Sequence, residues 1–248
     1  MTTDDGVLLA VDKVGKRFGG FVALEGIDLA VKPGERLGLI GPNGSGKSTL
    51  VNCICGTLRN DAGVVRLDGR PLDGLPAHQR TRLGMARSFQ LPKPFSGLSI
   101  ADNLRVPLLY AVNARHGPHL SHAEIADRCA ELLGMVALAD KAGRRPRDLT
   151  QVEMRKLELA RAIASGPRLL IADESMAGLS SAEVDDILAL LFRLNEQGIT
   201  IILIEHIMRA VMSFSERIAV LVAGRKIADG PPEEVIRNEQ VVRAYLGE

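Results

Sequence analysis

A chain of 248 residues has room for one large α/β domain with a small subdomain inserted in it, and with 46% hydrophobic and 25% charged residues it can build a sizeable core. A net charge of +1 leaves no basic footprint for nucleic acid or anionic lipid. No run approaches the ~18 apolar residues of a membrane span, the acidic start Met1-Thr-Thr-Asp-Asp5 lacks a signal-peptide pattern, and Cys53, Cys55 and Cys129 lack C-x-x-C spacing, so a soluble, intracellular protein with reduced thiols is expected.

Two β-type runs open the chain, at 8–14 and 24–31. A third, Arg36-Leu-Gly-Leu-Ile40, leads into Gly41-Pro-Asn-Gly-Ser-Gly-Lys-Ser48, and helical spacing follows over 48–58. A strand at 64–67 ends in the turn Asp68-Gly69, and another at 84–89 runs into Gln90 and a Pro-broken loop, 91–94. From 100 to 161 the pattern is helical, broken by Gly117-Pro118 and by 141–146. Strands return at 168–172 and 199–205 with a helix over 182–197 separating them, then at 217–222 and 225–228 before a Pro-initiated helical tail. Strands alternating with helices predict a mainly parallel sheet covered on both faces. The helical middle then becomes an inserted subdomain of about 96–164, and the core comprises 1–95 and 165–248. There is no internal repeat and only one phosphate-loop pattern.

The stretch 41–48 is a complete G-x-x-x-x-G-K-[ST] loop in a strand–loop–helix context. Its glycines let the backbone curl until its N–H groups point inward, as a triphosphate requires. The start of the next helix adds partial positive charge there. Lys47 supplies a mobile cation for the β- and γ-phosphates, and the Ser48 hydroxyl suits Mg²⁺. These residues imply a nucleoside triphosphate ligand. Downstream, the apolar strand Arg168-Leu-Leu-Ile-Ala ends in Asp173 and Glu174. Alone, such a pair is most simply a solvated strand end. Beside a phosphate loop, Asp173 suits Mg²⁺ and Glu174 suits the attacking water as general base.

With these motifs in this order the chain resembles the ATP-binding subunits of ABC transporters, over roughly residues 8–248. The resemblance implies an α/β fold with a P-loop NTPase core, an N-terminal antiparallel β subdomain and an inserted helical signature subdomain. It implies ATP and Mg²⁺ as cofactors. Phe18, in Arg17-Phe-Gly-Gly20, takes the adenine-stacking position, and Gly41, Pro42, Asn43, Gly44, Ser45, Gly46, Lys47, Ser48 and Thr49 hold the phosphates. Gln90, in Arg87-Ser-Phe-Gln90, matches the glutamine that reaches Mg²⁺ and water, so Ser48, Gln90 and Asp173 form the implied metal set. Glu174, His206, Gln90 and Lys47 form the catalytic set, with His206 as γ-phosphate sensor. Plainer readings stand beside these: Phe18 as core filler, Gln90 as an ordinary loop residue, and His116, His119 and His122 as a solvated loop rather than metal ligands.

The sequence departs from the family at the signature, where Leu-Ser-Gly-Gly-Gln becomes Leu149-Thr-Gln-Val-Glu153. Thr150 keeps a hydroxyl, but Val152 replaces a glycine that lets backbone approach phosphate, and a β-branched side chain there is stiff. Thr150, Gln151, Val152 and Glu153 are therefore expected to face the opposite ATP in impaired form; Thr150-x-x-Glu153 also reads as a helix capping box. Ser175 stands in place of a proline and Ile207 in place of an aspartate. These departures suggest a pair with a different ATPase bearing an intact signature.

Arg17-Phe-Gly-Gly20, Val51-Asn-Cys-Ile-Cys-Gly56, Arg87-Ser-Phe-Gln90, Ile204-Glu-His206 and the tail Arg243-Ala-Tyr-Leu-Gly-Glu248 resemble the branched-chain amino-acid importers, whose relatives carry urea or amides. Implied partners are a second ATPase, two membrane-spanning permease subunits at the cytoplasmic face of the membrane and, indirectly, an external solute-binding protein, with no nucleic acid. Two alternatives remain open here: a degenerate-signature regulatory subunit, and the ATPase of a lipopolysaccharide-export-like system.

Overall fold

The computed structural model describes residues 6–89, 91–115 and 119–246. The acidic start, Gln90, the Gly117-Pro118 break with His116, and the last two tail residues lie outside that set. Along the chain the elements are β1 (Leu9–Phe18), β2 (Phe21–Val31), β3 (Arg36–Ile40), α1 (Lys47–Cys55), β4 (Ala62–Leu67), β5 (Arg70–Pro71), α2 (Ala77–Arg82) and β6 (Met85–Ser88). Next come α3 (Ile100–Pro107), α4 (His122–Met135), α5 (Gln151–Ala164), β7 (Leu169–Asp173), α6 (Ser181–Glu196) and β8 (Thr200–Ile204). The chain continues with α7 (Met208–Phe214), β9 (Arg217–Val222), β10 (Arg225–Gly230), α8 (Pro232–Val235) and α9 (Glu239–Leu246).

Two compact units emerge, Met1–Arg80 with Thr200–Glu248, and Thr81–Ile199. In the first, β2, β1, β4 and β5 form an antiparallel sheet, and β3 lies parallel to both β8 and β9, with β10 antiparallel on β9. The antiparallel subdomain and the mainly parallel sheet thus match expectation. Every residue of β8 is buried, as in β7 of the second unit, which is what parallel strands covered on both faces require. Under β3, Ile40 packs in one apolar cluster with Val211, Ile218, Val220, Val235 and Val241, so the C-terminal helices belong to the core that carries the phosphate loop.

Three elements escape the sequence reading, β5, α2 and α7. The turn at Asp68 and Gly69 has φ of 52° and 70°, and it closes a hairpin that pairs Leu67 with Arg70. A two-residue strand leaves no periodicity to detect. Arg80 in α2, an expected surface residue by type, is only 4% exposed. Its guanidinium donates to the carbonyls of Cys53 and Ile54 at 2.7 Å each, and of Leu72 and Leu75 at 2.9 Å each. It thereby satisfies the orphan acceptors at the C-terminus of α1, with its charge next to the negative end of that helix.

In the second unit, β6 and β7 pair in parallel, and α3, α4 and α5 form the helical part. The long helical stretch is more broken than expected. Pro107 ends α3, and a widened π-type turn follows over Leu108–Val112, because a proline cannot donate the bond that would continue the regular ladder.

Candidate active site

In the first unit, β3 hands the chain to Gly41, whose φ is +154° and whose missing side chain would collide with the Leu221 carbonyl. At Gly46, φ is +103°, and a Cβ would sit 2.8 Å from the Ala23 oxygen. The loop is pinned by Ser45 N–H donating to the Pro42 carbonyl at 3.2 Å and by Gly224 N–H donating to the Ser45 carbonyl at 2.9 Å. Gly46 caps α1 without any side-chain hydrogen bond, and its first turn holds no acid. A helix start in that form has no internal negative group at its positive end. Lys47 is folded back rather than swinging freely. It is buried, and its ammonium donates to the carbonyls of Gly41 at 2.6 Å and Pro42 at 3.1 Å, with Ser45 Oγ at 3.5 Å. Asn43, Gly44 and Ser48 are exposed, Pro42 and Thr49 half-buried.

Phe18 ends β1 in the tight turn that pairs it with Phe21, and half of it is exposed, which rules out a core-filling role. The Lys16 ammonium lies 5.5 Å from its ring centre. His206 follows β8 at the C-terminal edge of the sheet, exposed, where ligands gather in α/β folds. Ile207, in place of the family aspartate, is the N-cap of α7 and offers that helix no side-chain bond.

In the second unit, β7 ends at buried Asp173. Arg87 of β6, which the sequence reading used only as a motif neighbour, clasps it: Nη2 lies 2.5 Å and Nε 3.1 Å from Oδ2, with side chains 14% and 10% exposed. Glu174 is half-buried and takes φ of 48°, a left-handed conformation that costs an ordinary residue about 1 kcal/mol or more and concentrates at working sites. Next to it, the buried Ser175 hydroxyl has no hydrogen-bond partner among the described residues.

At the signature position, Thr150 is the N-cap of α5. Its Oγ1 accepts the Glu153 N–H at 3.4 Å, while Glu153 Oε2 accepts the Thr150 N–H at 2.9 Å. Glu153 is also ion-paired with Lys141, and that ammonium and then the Thr150 N–H hold its carboxyl below the usual range. Gln151 is exposed and directs Nε2 toward the Ala177 carbonyl at 3.5 Å, and Val152 is half-buried. The capping box expected from the sequence is present. Among the described residues, no group of three His, Cys, Asp or Glu side chains is arranged to hold a metal.

The family model described as "ABC transporter" matches residues 24–177, and a second, "Branched-chain amino acid ATP-binding cassette transporter", matches 225–248. The high-affinity branched-chain amino acid transport ATP-binding protein BraF of Pseudomonas aeruginosa is 38% identical, over 97% of this chain and 98% of its own length. LivG of Salmonella typhimurium, with the same description, is 37% identical over the same shares. Among solved structures, the ADP conformation of an ABC-transporter cassette superimposes with a TM-score of 0.86 at 29% identity, covering 98% of this chain and 99% of that one. This chain belongs to the ATP-binding subunits of ABC transporters, the ATPases that power them.

Proposed function

We propose that the chain hydrolyses ATP to drive import of a small polar solute, a branched-chain amino acid or a related amide or urea. The observation that carries this reading is the phosphate loop: a glycine-turned backbone, an uncapped α1 start and a buried ammonium. Phe18 stacks on adenine, and residues 41–49 hold the phosphates. Glu174 takes the proton of the attacking water, and His206 donates to the γ-phosphate as charge develops there. Ser48, Gln90 and Asp173 offer the hard oxygen donors that suit Mg²⁺, which would neutralise phosphate charge when bound. Arg87, already on one oxygen of Asp173, fixes that carboxylate's direction.

The signature argues for asymmetry. Thr150 and Glu153 spend their polar atoms on capping α5, and Val152 occupies a glycine position. A partner ATPase with an intact signature would complete the site that uses Lys47, Glu174 and His206, while the opposite site turns over slowly. Two permease subunits hold the pair at the cytoplasmic face of the membrane, fed by an external solute-binding protein. Exposed Leu91, Phe95, Leu98 and Tyr110 supply an apolar surface for the permease.

Steady-state Mg²⁺-ATP hydrolysis by the purified chain, with Glu174→Gln as blank, tests this reading. The expected result is ATP binding with turnover at blank level. Brisk turnover by the chain alone would sink the asymmetric model, and failure to bind ATP would sink the whole reading.

A further inference from the structure

Glu158 lies in the middle of α5, only 6% exposed, in a helix whose other inward residues are mostly apolar. Burial pushes its carboxyl above the ordinary range, against the pull of Arg161 one turn on. Removing a carboxylate from water is costly, and here the compensation comes from a loop in another part of the chain. The Lys93 and Phe89 backbone N–H groups pull in the same direction as Arg161, toward the charged carboxylate. Arg161 Nη1 donates to Glu158 Oε2 at 2.7 Å and to the Lys93 carbonyl at 3.0 Å, and its guanidinium lies 4.9 Å from the Phe95 ring centre. From α3, fully buried Asn103 accepts the Phe95 N–H at 2.8 Å and donates to the Phe95 carbonyl at 3.1 Å. Pro92 and Pro94 deprive this loop of two donors, so it cannot join a strand or helix ladder. Side chains hold it instead.

We propose that Glu158, supported by Arg161 and Asn103, is a positioning residue that fixes the loop on both sides of residue 90 to helix α5. Thr150, at the start of α5, lies eight residues before Glu158, roughly 12 Å along the helix axis. One rigid helix thus joins the signature, read in the function above as facing the partner's ATP, to the loop read there as carrying Gln90. A shift at either end is felt at the other. The inference rests on that reading for its link to turnover, and on the contacts alone for the clasp.

Amide exchange on the free chain tests the clasp first. The Lys93 and Phe89 N–H groups are expected to exchange at least about tenfold slower than unstructured amides, and Glu158→Ala to remove that protection while Glu158→Gln retains most of it. Unprotected amides in the wild-type protein would overturn the proposal whatever the variants do. In the assembled transporter, Glu158→Ala is expected to lower kcat on the order of tenfold with KM for ATP nearly unchanged. Added to Gln90→Ala it should cost little more, since both act through one loop. Losses that multiply would overturn the positioning role. A Gln90→Ala variant with normal kcat would overturn the reading of Gln90, and with it the link to turnover, while the exchange result still decides the clasp.

Discussion

The starts of α1 and α5 are both helix N-termini proposed to face phosphate, and they are built in opposite ways. At α1 the cap is Gly46, with no side-chain bond and no acid in the first turn. At α5 a complete capping box turns the end inward: Thr150 and Glu153 satisfy each other's N–H groups, and Glu153 carries an ion pair to Lys141 besides. A helix start has one set of orphan donors, which either serve a ligand or are used up within the chain. The first start has no side-chain cap, whereas at the second the Thr150 and Glu153 N–H groups are taken up within the chain.

The comparison breaks most sharply at Lys47. Lys47→Ala should weaken ATP affinity on the order of 100-fold, by loss of a charge-assisted contact worth about 2–3 kcal/mol, as titration with a fluorescent ATP analogue would show. An unchanged affinity would mean that α1 is no more a ligand site than α5. Next in size, glycines at 151 and 152 together reopen the second start. Homodimer ATPase activity should then rise roughly tenfold over wild type, as removing both side chains lets a phosphate approach the backbone N–H groups there; an unchanged rate would place the defect elsewhere. The smallest effect sharpens the contrast from the stability side. Thr150→Ala should cost about 1 kcal/mol in chemical denaturation. Because the folded-state carboxyl of Glu153 sits below its ordinary 4.5, its stabilisation is complete above about pH 4.5 and is lost as pH falls through the lowered value. A Glu153→Gln variant should therefore melt below wild type at neutral pH and converge with it in acid.

Much of this was legible in the sequence, since the phosphate loop, the strand ending at Asp173 and the α5 capping box each have a local pattern. What escaped depends on contacts distant in sequence. Arg87 looks like a strand residue until β6 lies beside β7, 86 residues away, and brings it to Asp173. Nothing local marks Glu158 and Arg161, and only the fold buries Glu158, and half-buries Arg161, beside Lys93 and Phe95. Polar residues on a helix carry no mark of which face will be covered. The left-handed turn at Glu174 had no signal either, because an Asp-Glu pair does not announce backbone strain.

Arg80 gives α1 an end-stop. The helix is nine residues long, too short to be rigid through its own hydrogen bonds. Its last carbonyls are bolted to a buried guanidinium that also grips Leu72 and Leu75, and a Cβ at Gly56 would sit 2.5 Å from Arg80 Nε, so nothing larger fits there. In mechanical terms α1 is a strut clamped at its far end. A push delivered at Gly46 is passed through Arg80 to the segment at Leu72 and Leu75 that follows β5, rather than absorbed by fraying of the helix.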